Sequence, residues 1–422
     1  MSEEFSVFWN RIFSFCCCVS SLCFFLPSAV FLISVFSSSS IANEVEDYAV
    51  VEDVRHISAA DYTRIIIALS KEVQLNVFPT EADPSRGLPI RLVVDFLKTR
   101  RGTAIPAAMT IRDGLLKQVR TGQFSATTAR VVLDIESVEK YNSFLLHNPF
   151  RLVIDVQGGK GRKERERKPP LQKPPLTEME KSAPLLSPPP PSTFIVMLDP
   201  GHGGKDPGAI GEGRVAEKDV VLAISKRVGR KLAARLPVKV LYTRSDDIFI
   251  PLEERIARAN AAQADLFVSI HANASTNPDL QGVETYYLNN TNDRATIRLA
   301  SLENGIRPGG NSRGDSLSFL LSDLIQSGKE EDSIALAHSL QEAITTKARE
   351  TYPSVRNLGV KKGPFYVLVG AHMPCVLVET AFVTHRLEGK YLARAEYQEA
   401  LAEGLFLGIA RFLRTGRAEK NL

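Results

Sequence analysis

Cysteine is scarce in this chain, which has five cysteines among 422 residues. Four of them lie in an apolar N-terminal stretch, as Cys16, Cys17, Cys18 and Cys23, and Cys375 stands alone downstream. A single cysteine excludes an internal disulfide bond and a zinc site built from four cysteines. The fold must therefore rest on hydrophobic cores, in which we expect Cys375, at the start of an apolar run, to be a small buried side chain.

Net charge is also small, at +4. Residues 160–173 contain seven lysines or arginines against two glutamates, a surplus of five, so the rest of the chain is close to neutral. This balance excludes an extended basic face for nucleic acid, although the basic segment could touch anionic polymers or lipid head groups. With 44% hydrophobic and 24% charged residues, most of the chain should be globular, and its length allows two domains with linkers.

The N-terminus has the pattern of a secretory signal. Arg11 precedes a long apolar stretch at residues 12–36, and the small residues Ser40 and Ala42 suit cleavage before Asn43. The alternative is an uncleaved membrane anchor, because the stretch is long enough to span a bilayer. In either case, residues 1–42 predict that the remainder of the chain is exported.

Residues 43–157 have the pattern of a small all-β domain. In a weak repeat, three β-branched runs each begin with an arginine and carry an aspartate near their end, at residues 91–96, 130–135 and 151–156. The pattern predicts an N-terminal all-β sandwich domain, which could be a wall-binding module or a passive spacer. Residues 158–192 then predict a charged, proline-rich linker that is extended and has no core.

The remainder, residues 193–422, alternates between strand and helix patterns. Strands are predicted at residues 194–198, 238–243, 266–270, 283–288, 365–369 and 375–378, and helices at residues 218–236, 251–263, 333–349 and 396–413. Such an alternation predicts an α/β domain with a mixed sheet and helices on both faces.

Two histidines and one glutamate stand next to predicted elements of this domain. His202 follows the first strand through a glycine-rich segment, Glu217 opens the first long helix, and His271 directly follows another strand. Sites in open α/β sheets gather beyond the carboxyl ends of the strands. Two imidazoles and one carboxylate are the ligand set of a hydrolytic zinc site with an open fourth position. A lone histidine at a strand end is often only a surface residue, so the prediction depends on the whole set.

A candidate catalytic acid or base is Glu379, which ends the apolar run at residues 375–378. A carboxylate at the end of a buried strand is costly unless it has a partner or a function. Beside a metal, it could take a proton from the attacking water and pass it to a leaving amine. The alternative is a structural ion pair.

These residues lie in motifs that resemble those of the zinc-dependent N-acetylmuramoyl-L-alanine amidases. The motifs are VMLDPGHGGKDPG at 196–208, Glu217, DLFVSIHAN at 265–273 and VLVE at 376–379, and the resemblance covers residues 194 to about 413. It implies a zinc ion (Zn2+) held by His202, Glu217 and His271, with Glu379 as the catalytic acid. It also implies the substrate bond, the amide between N-acetylmuramic acid and the L-alanine of the peptidoglycan stem peptide. Where the family often has Gly-Phe after the catalytic glutamate, this chain has Thr380-Ala-Phe382.

The N-terminal domain is similar to AMIN, the targeting module of periplasmic members of this family. The similarity depends on the Arg-x-Val-x-Asp pattern of its strands. It implies a periplasmic protein that binds envelope or septal peptidoglycan and takes part in septal wall splitting and daughter-cell separation.

Residues 289–332 correspond to an insertion found in the division-associated members. There a helix blocks the active site, and its glutamate occupies the open position of the metal until an activator protein displaces it. Here residues 295–306 are predicted to form the helix, and Glu303, its only acid, is the candidate for this blocking residue, which we call the plug. A second apolar stretch at residues 317–325 could meet the activator. The alternative is an ordinary polar excursion with one solvated glutamate.

The sequence therefore favours a peptidoglycan amidase, and two other functions remain open. A zinc peptidase that cuts within the stem peptide would use similar chemistry, and only analysis of the products separates it from an amidase. A non-catalytic peptidoglycan-binding protein would fit the β domain and linker but gives no reason for Glu379. No nucleic-acid partner is expected.

Overall fold

The computed structural model describes residues 47–59, 61–82, 90–158, 194–306 and 327–419. The predicted signal sequence, residues 159–192 of the predicted linker and the apolar stretch at 317–325 lie outside these ranges. Among the described residues, no helix combines the length and the apolar character needed to cross a bilayer.

The N-terminal domain consists of two five-stranded sheets. One has the strand order β5-β1-β2-β10-β9 and the other β3-β4-β8-β7-β6. The strands are β1 (Ala49–Ala59), β2 (Tyr62–Leu69), β3 (Leu75–Thr80), β4 (Arg91–Leu97), β5 (Thr99–Arg101), β6 (Ala108–Thr110), β7 (Leu116–Ser125), β8 (Thr128–Ile135), β9 (Lys140–Leu146) and β10 (Phe150–Gln157). Buried residues of both sheets form one core, for example Ile65, Ile67, Leu92, Val94, Leu133 and Leu152. The predicted all-β domain is confirmed, whereas its exact limits remain a prediction.

Two aspartates of the sequence repeat pair with arginines on neighbouring strands. Asp95 on β4 lies directly opposite Arg130 on β8, and two hydrogen bonds of 2.6 and 2.7 Å join them. Asp155 on β10 lies directly opposite Arg64 on β2, again with bonds of 2.6 and 2.7 Å. The second pair is fully buried, so this charge belongs to the interior rather than to a polar strand end.

A six-stranded mixed sheet forms the centre of the C-terminal domain, in the order β12-β11-β13-β16-β14-β15. The strands are β11 (Phe194–Pro200), β12 (Val238–Tyr242), β13 (Leu266–Asn273), β14 (Val283–Leu288), β15 (Asn357–Gly363) and β16 (Cys375–Phe382). β14 pairs antiparallel with β16, whereas the other neighbours are parallel. β11, β13 and β16 therefore place their carboxyl ends at one edge.

Helices cover both faces of this sheet. They are α1 (Glu217–Arg235), α2 (Leu252–Ala261), α3 (Arg294–Glu303), α4 (Ser327–Thr351), α5 (Glu388–Leu392) and α6 (Ala395–Glu419). Successive side chains of β11 point to opposite faces of the sheet and belong to two hydrophobic cores. Val196 and Leu198 pack with α1, α4 and α6, whereas Met197 packs with α2 and α3. The predicted fold class, an α/β domain with a mixed sheet behind an all-β domain, is confirmed.

Several local predictions were wrong. The apolar run at residues 365–369 is a 3₁₀ turn, Tyr366–Leu368, rather than a strand. β15 was not predicted, because its sequence NLGVKKG lacks an apolar run. β13 and β16 extend further than expected, so His271 and Glu379 lie within strands rather than at their ends. The helix predicted at residues 295–306 is α3, which ends at Glu303.

Candidate metal centre

Four side chains meet at the edge of the sheet where β11 and β13 end. His202 follows β11, Glu217 begins α1, His271 lies on β13, and Glu303 ends α3. Each offers one ligand atom, and these four atoms all lie within 4.8 Å of one another. The structure thus brings together the three predicted ligands and the predicted plug.

The distances between the ligand atoms suit a tetrahedral zinc ion. Glu217 places one oxygen 3.1 Å from Nε2 of His202 and the other 3.1 Å from Nδ1 of His271. Oε2 of Glu303 lies 3.1 Å from the same His271 nitrogen and 3.4 Å from the His202 nitrogen. Bonds of about 2.0–2.1 Å to a tetrahedral zinc ion separate the ligand atoms by about 3.3 Å. These four contacts are close to that value, and one ligand atom from each residue lies within 4.8 Å of all the others.

Two of these ligand atoms are buried without a hydrogen bond. Within the described part of the chain, Nε2 of His202 and Oε2 of Glu303 make no hydrogen bond of adequate geometry, although each lies 3.1–3.4 Å from other atoms of the cluster. Buried polar atoms are nearly always satisfied, and an ion is one of the groups that can satisfy them. The donor set therefore fits a cation between the two histidines and the two carboxylates.

Neighbouring groups orient the ligands. Oδ2 of Asp206 lies 2.9 Å from Nδ1 of His202 and leaves Nε2 directed at the other ligands. The Glu217 oxygens accept hydrogen bonds from the backbone N–H groups of Ala209 and Ala272, at 2.9 and 3.0 Å. A carboxylate behind a histidine ligand is a common feature of zinc sites, because it fixes the tautomer and the ring orientation.

Two glycines of the His202 segment allow the ligands to come this close. A Cβ atom on Gly201 would stand 2.4 Å from Cε1 of His271. A Cβ on Gly208, whose φ is +65°, would stand 2.6 Å from both the Glu217 carboxylate and the His202 ring. His202 itself has a φ of +57°, a strained value for a residue with a side chain.

A buried arginine holds the backbone of the same segment. Arg255 on α2 donates to the carbonyl oxygens of Pro200 and His202, both at 2.7 Å, and to the carboxylate of Asp199 at 2.9 Å. Burial alone would raise the pKa of Asp199, but Arg255 and two hydroxyl donors outweigh it and hold that pKa below its usual value. The strained loop is therefore tied to α2 by charge-assisted hydrogen bonds.

Glu379 lies beside the four-residue cluster and is completely buried. Neither of its carboxylate oxygens has a hydrogen-bond partner among the described residues. Burial raises the pKa of Glu379 well above its ordinary value, and the nearby charges of Glu303, Glu217 and Glu284 raise it further. A carboxyl group with a raised pKa can hold and return a proton near neutral pH.

A second acid next to Glu379 was not predicted. Glu284 on β14 lies opposite Glu379 and is buried. It accepts hydrogen bonds from Asn273 at 2.6 Å and from Lys361 at 2.5 Å. The signal was present in the sequence, because Glu284 interrupts an apolar strand just as Glu379 does.

The nearby carboxylates also raise the pKa of both histidines. Burial alone would lower the pKa of His202, but Glu217 and Glu303 outweigh it and raise that pKa to about 10. Glu303 and Glu217 raise the pKa of His271 to about 10 in the same way. This concentration of negative charge around two imidazoles favours a positive charge, carried by protons or by a metal ion.

Two family matches cover most of both domains. Residues 196–411 match the N-acetylmuramoyl-L-alanine amidase family, and residues 53–140 match the AMIN domain. The first match includes His202, Glu217, His271, Glu303 and Glu379.

Two similar proteins align with most of the chain, and one solved structure aligns with about half of it. The chain is 31% identical over 393 residues to N-acetylmuramoyl-L-alanine amidase AmiC of Escherichia coli O6:H1. This alignment covers 86% of this chain and 89% of that protein. It is 30% identical to the AmiC of Neisseria meningitidis serogroup B, over 84% of this chain and 88% of that one. The solved structure of amidase AmiC2 of Nostoc punctiforme is 34% identical and covers 52% of this chain and 97% of its own, with a TM-score of 0.40. The chain therefore belongs to the N-acetylmuramoyl-L-alanine amidases and carries an N-terminal AMIN domain.

Proposed function

We propose that this amidase depends on zinc, which His202, Glu217 and His271 would hold. The observation that carries the proposal is the convergence of their ligand atoms, with Glu303, within 4.8 Å. A bound zinc ion would polarise the substrate carbonyl and lower the pKa of water to about 7. Asp206 and the two backbone donors to Glu217 would keep the ligands in place.

Glu379 would act as the general base and acid. Its buried carboxyl group would take a proton from the attacking water and deliver it to the nitrogen of the leaving amine. The raised pKa supports this role, because a carboxyl group of ordinary pKa returns a proton poorly near neutral pH. Asn273 and Lys361 keep Glu284 fully hydrogen-bonded, so Glu284 would act on Glu379 through its charge.

The substrate bond would be the amide between N-acetylmuramic acid and the L-alanine of the stem peptide. The names of the matched family and relatives support this assignment. We further propose that the chain is exported to the periplasm and that its AMIN domain binds peptidoglycan. Cleavage there would split septal wall and separate daughter cells.

Glu303 would keep the enzyme inactive in the conformation described. Its oxygen Oε2 lies 3.4 Å from Nε2 of His202 and 3.1 Å from Nδ1 of His271, where it would take the position that a zinc site needs open for water. Because α3 has only ten residues, it is marginal as an isolated helix, and its position depends on packing. Leu299 and Ala300 supply that packing against the sheet.

An activator protein would displace α3. Ile297 and Leu302 are 39% and 46% exposed on this helix and would offer a partner an apolar contact. The partner need only bind the displaced helix better than the seated one to shift the population. We place its binding site on the insertion, residues 289–332.

Analysis of digestion products tests the amidase against its alternatives. Purified cell-wall sacculi incubated with the protein and zinc should release intact stem peptides with a free N-terminal L-alanine, which mass spectrometry identifies. Fragments cut inside the stem peptide would indicate a zinc peptidase instead. Binding to sacculi without any release, by a Glu303→Ala variant with normal zinc content, would indicate a non-catalytic wall-binding protein.

A further inference from the structure

The N-terminal β domain packs against the C-terminal domain through a buried polar contact. Glu253, near the start of α2, is 1% exposed. Its carboxylate accepts hydrogen bonds from Arg55 and Arg151, and its backbone carbonyl accepts one of 2.8 Å from Arg64. Three arginines of the β domain thus converge on one glutamate of the catalytic domain.

An apolar contact lies beside this polar one. Tyr366 begins the 3₁₀ turn and Val369 directly follows it. Both pack among four apolar side chains of the β domain: Ile66, Phe144, Leu146 and Val153. The Tyr366 hydroxyl also accepts a hydrogen bond of 3.3 Å from the backbone N–H of His147. A Cβ atom on Gly370 would stand 2.5 Å from Arg64, so the backbone after the turn lies directly on the β domain.

The opposite side of the same turn supports α3. Phe365, Val367 and Leu368 share a hydrophobic cluster with Leu299 and Ala300 of the helix. The turn therefore lies between the β domain and the helix that carries Glu303.

Hydrogen bonds join the turn to the residue next to Glu303. The buried side chain of Asn304 donates to the carbonyl of Pro364 at 2.9 Å and accepts from the N–H of Tyr366 at 2.8 Å. Any shift of Tyr366 must strain or break these bonds, and loss of a buried hydrogen bond is costly. Asn304 is the C-cap of α3, so such a shift would be transmitted to Glu303.

We propose that the docked β domain holds Glu303 in the metal centre by fixing the 3₁₀ turn. Undocking of the β domain releases Tyr366, weakens the anchor of Asn304 and lets α3 leave. By linkage, whatever favours the undocked β domain also favours the open site. This inference rests on the proposed plug role of Glu303 and adds the surface that controls it.

Undocking can be produced from the β-domain side without touching the metal centre. In the double variant Arg151→Glu/Val153→Glu, the first substitution places a carboxylate next to Glu253, which repels it. The second places a negative charge in the apolar contact with Tyr366 and Val369. The neighbours Leu152 and Ile154 face the β domain's own core and stay unchanged. Phe124→Glu is the matched control, because Phe124 is 60% exposed on the other sheet.

Small-angle scattering of the full chain establishes undocking, and hydrogen exchange of α3 then tests the coupling. We expect a larger radius of gyration in the double variant and amide exchange at least about tenfold faster in residues 294–304, with α1 unchanged and the control like wild type. Unchanged α3 protection in an expanded molecule would overturn the proposal. If the double variant keeps the wild-type radius, Phe144→Glu is added, and failure of the triple variant to expand would contradict the docking contact itself.

Hydrolysis of sacculi separates this inference from the plug role. The double variant should raise basal hydrolysis several-fold, and combining it with Glu303→Ala should give no further rise. If Glu303→Ala alone leaves hydrolysis unchanged, the plug role fails, whereas α3 exchange still reports on the coupling. If undocking loosens α3 but hydrolysis stays at the wild-type rate while Glu303→Ala raises it, control of the site by the β domain is refuted.

Discussion

Glu379 on β16 lies directly opposite His271 on the neighbouring parallel strand β13. The main-chain hydrogen bonds of the sheet therefore set the separation of the proposed base and the proposed ligand. Every residue of both strands is buried. Because both strands are buried along their whole length, a substitution at either residue should change its side chain without moving the backbone.

Replacement of a ligand histidine should remove the metal. We expect His202→Ala and His271→Ala to lose stoichiometric zinc, because the cluster would then keep only one imidazole beside the carboxylates of Glu217 and Glu303. His338→Ala is the control, since His338 is exposed on α4. Elemental analysis of the purified variants measures zinc, and chelation of the wild type should abolish hydrolysis until zinc is restored. A variant that still holds zinc tightly would remove its histidine from the site.

Glu379→Gln should keep zinc and lose activity. General bases contribute about 100- to 10,000-fold, so we expect a rate at least about a hundredfold lower with normal zinc content. Glu388→Gln is the matched control, because buried Glu388 only accepts backbone hydrogen bonds from Phe382 and Gly282, which glutamine also accepts. Near-normal turnover by Glu379→Gln would exclude it as the base.

Glu303→Ala should raise the basal rate. If the plug role is right, removing the carboxylate would open the fourth ligand position, and we expect hydrolysis of sacculi about tenfold above wild type or more. Glu331→Ala, an exposed acid on α4, should change nothing. Deleting residues 289–332 should also raise the basal rate if the fold tolerates it, but should prevent stimulation by an activator. An unchanged basal rate in a folded, zinc-loaded Glu303→Ala variant would contradict the plug role.

The AMIN domain should direct the protein to the wall. Residues 43–157, fused to an export signal and a fluorescent reporter, should concentrate at the envelope and at division sites. The domain has its own core, and the reporter with the export signal alone serves as the control. Diffuse fluorescence throughout the periplasm would favour the passive spacer.

Stability should fall in mild acid because of His372. Its ring lies edge-on against Tyr62 of the β domain. Burial lowers the pKa of His372 to about 4; Asp155 and Asp61 raise it, whereas Lys329 and Arg64 lower it. Below about pH 6.5 the unfolded chain binds a proton that the folded one rejects, so stability is lost as the pH falls from about 6.5 to 4. Melting temperatures between pH 8 and 4.5 should therefore fall less steeply in His372→Gln, and parallel curves would refute the assignment.

The proposed ligands could be predicted from the sequence because each of them interrupts a local pattern. Glycines around His202, an acid at the start of a helix, and polar residues inside apolar strands each broke a local pattern. Glu284 interrupts an apolar strand in the same way, although it was not among the predicted site residues.

The contact between the domains left no such local signal. Arg64, Arg151 and Glu253 read as ordinary charged residues until the fold brings them together. The apolar run around Tyr366 predicted a strand, because a run of apolar residues indicates only that a segment is buried. It does not indicate that this segment lies between the β domain and α3. Tertiary context decided its 3₁₀ conformation.

The ion pairs between Asp95 and Arg130 and between Asp155 and Arg64 have a consequence for strand alignment. In β8, where buried and partly exposed side chains alternate, a slip of one residue would turn apolar side chains outward, and hydrophobicity alone opposes it. β2 and β10 are buried on both faces, so there hydrophobicity opposes such a slip only weakly. A slip of two residues would keep the buried face buried and would be nearly invisible to hydrophobicity. It would, however, separate each arginine from its aspartate, and in the interior that leaves Asp155 as an unpaired charge. The two ion pairs thus disfavour the misaligned sheets that the apolar residues alone would tolerate.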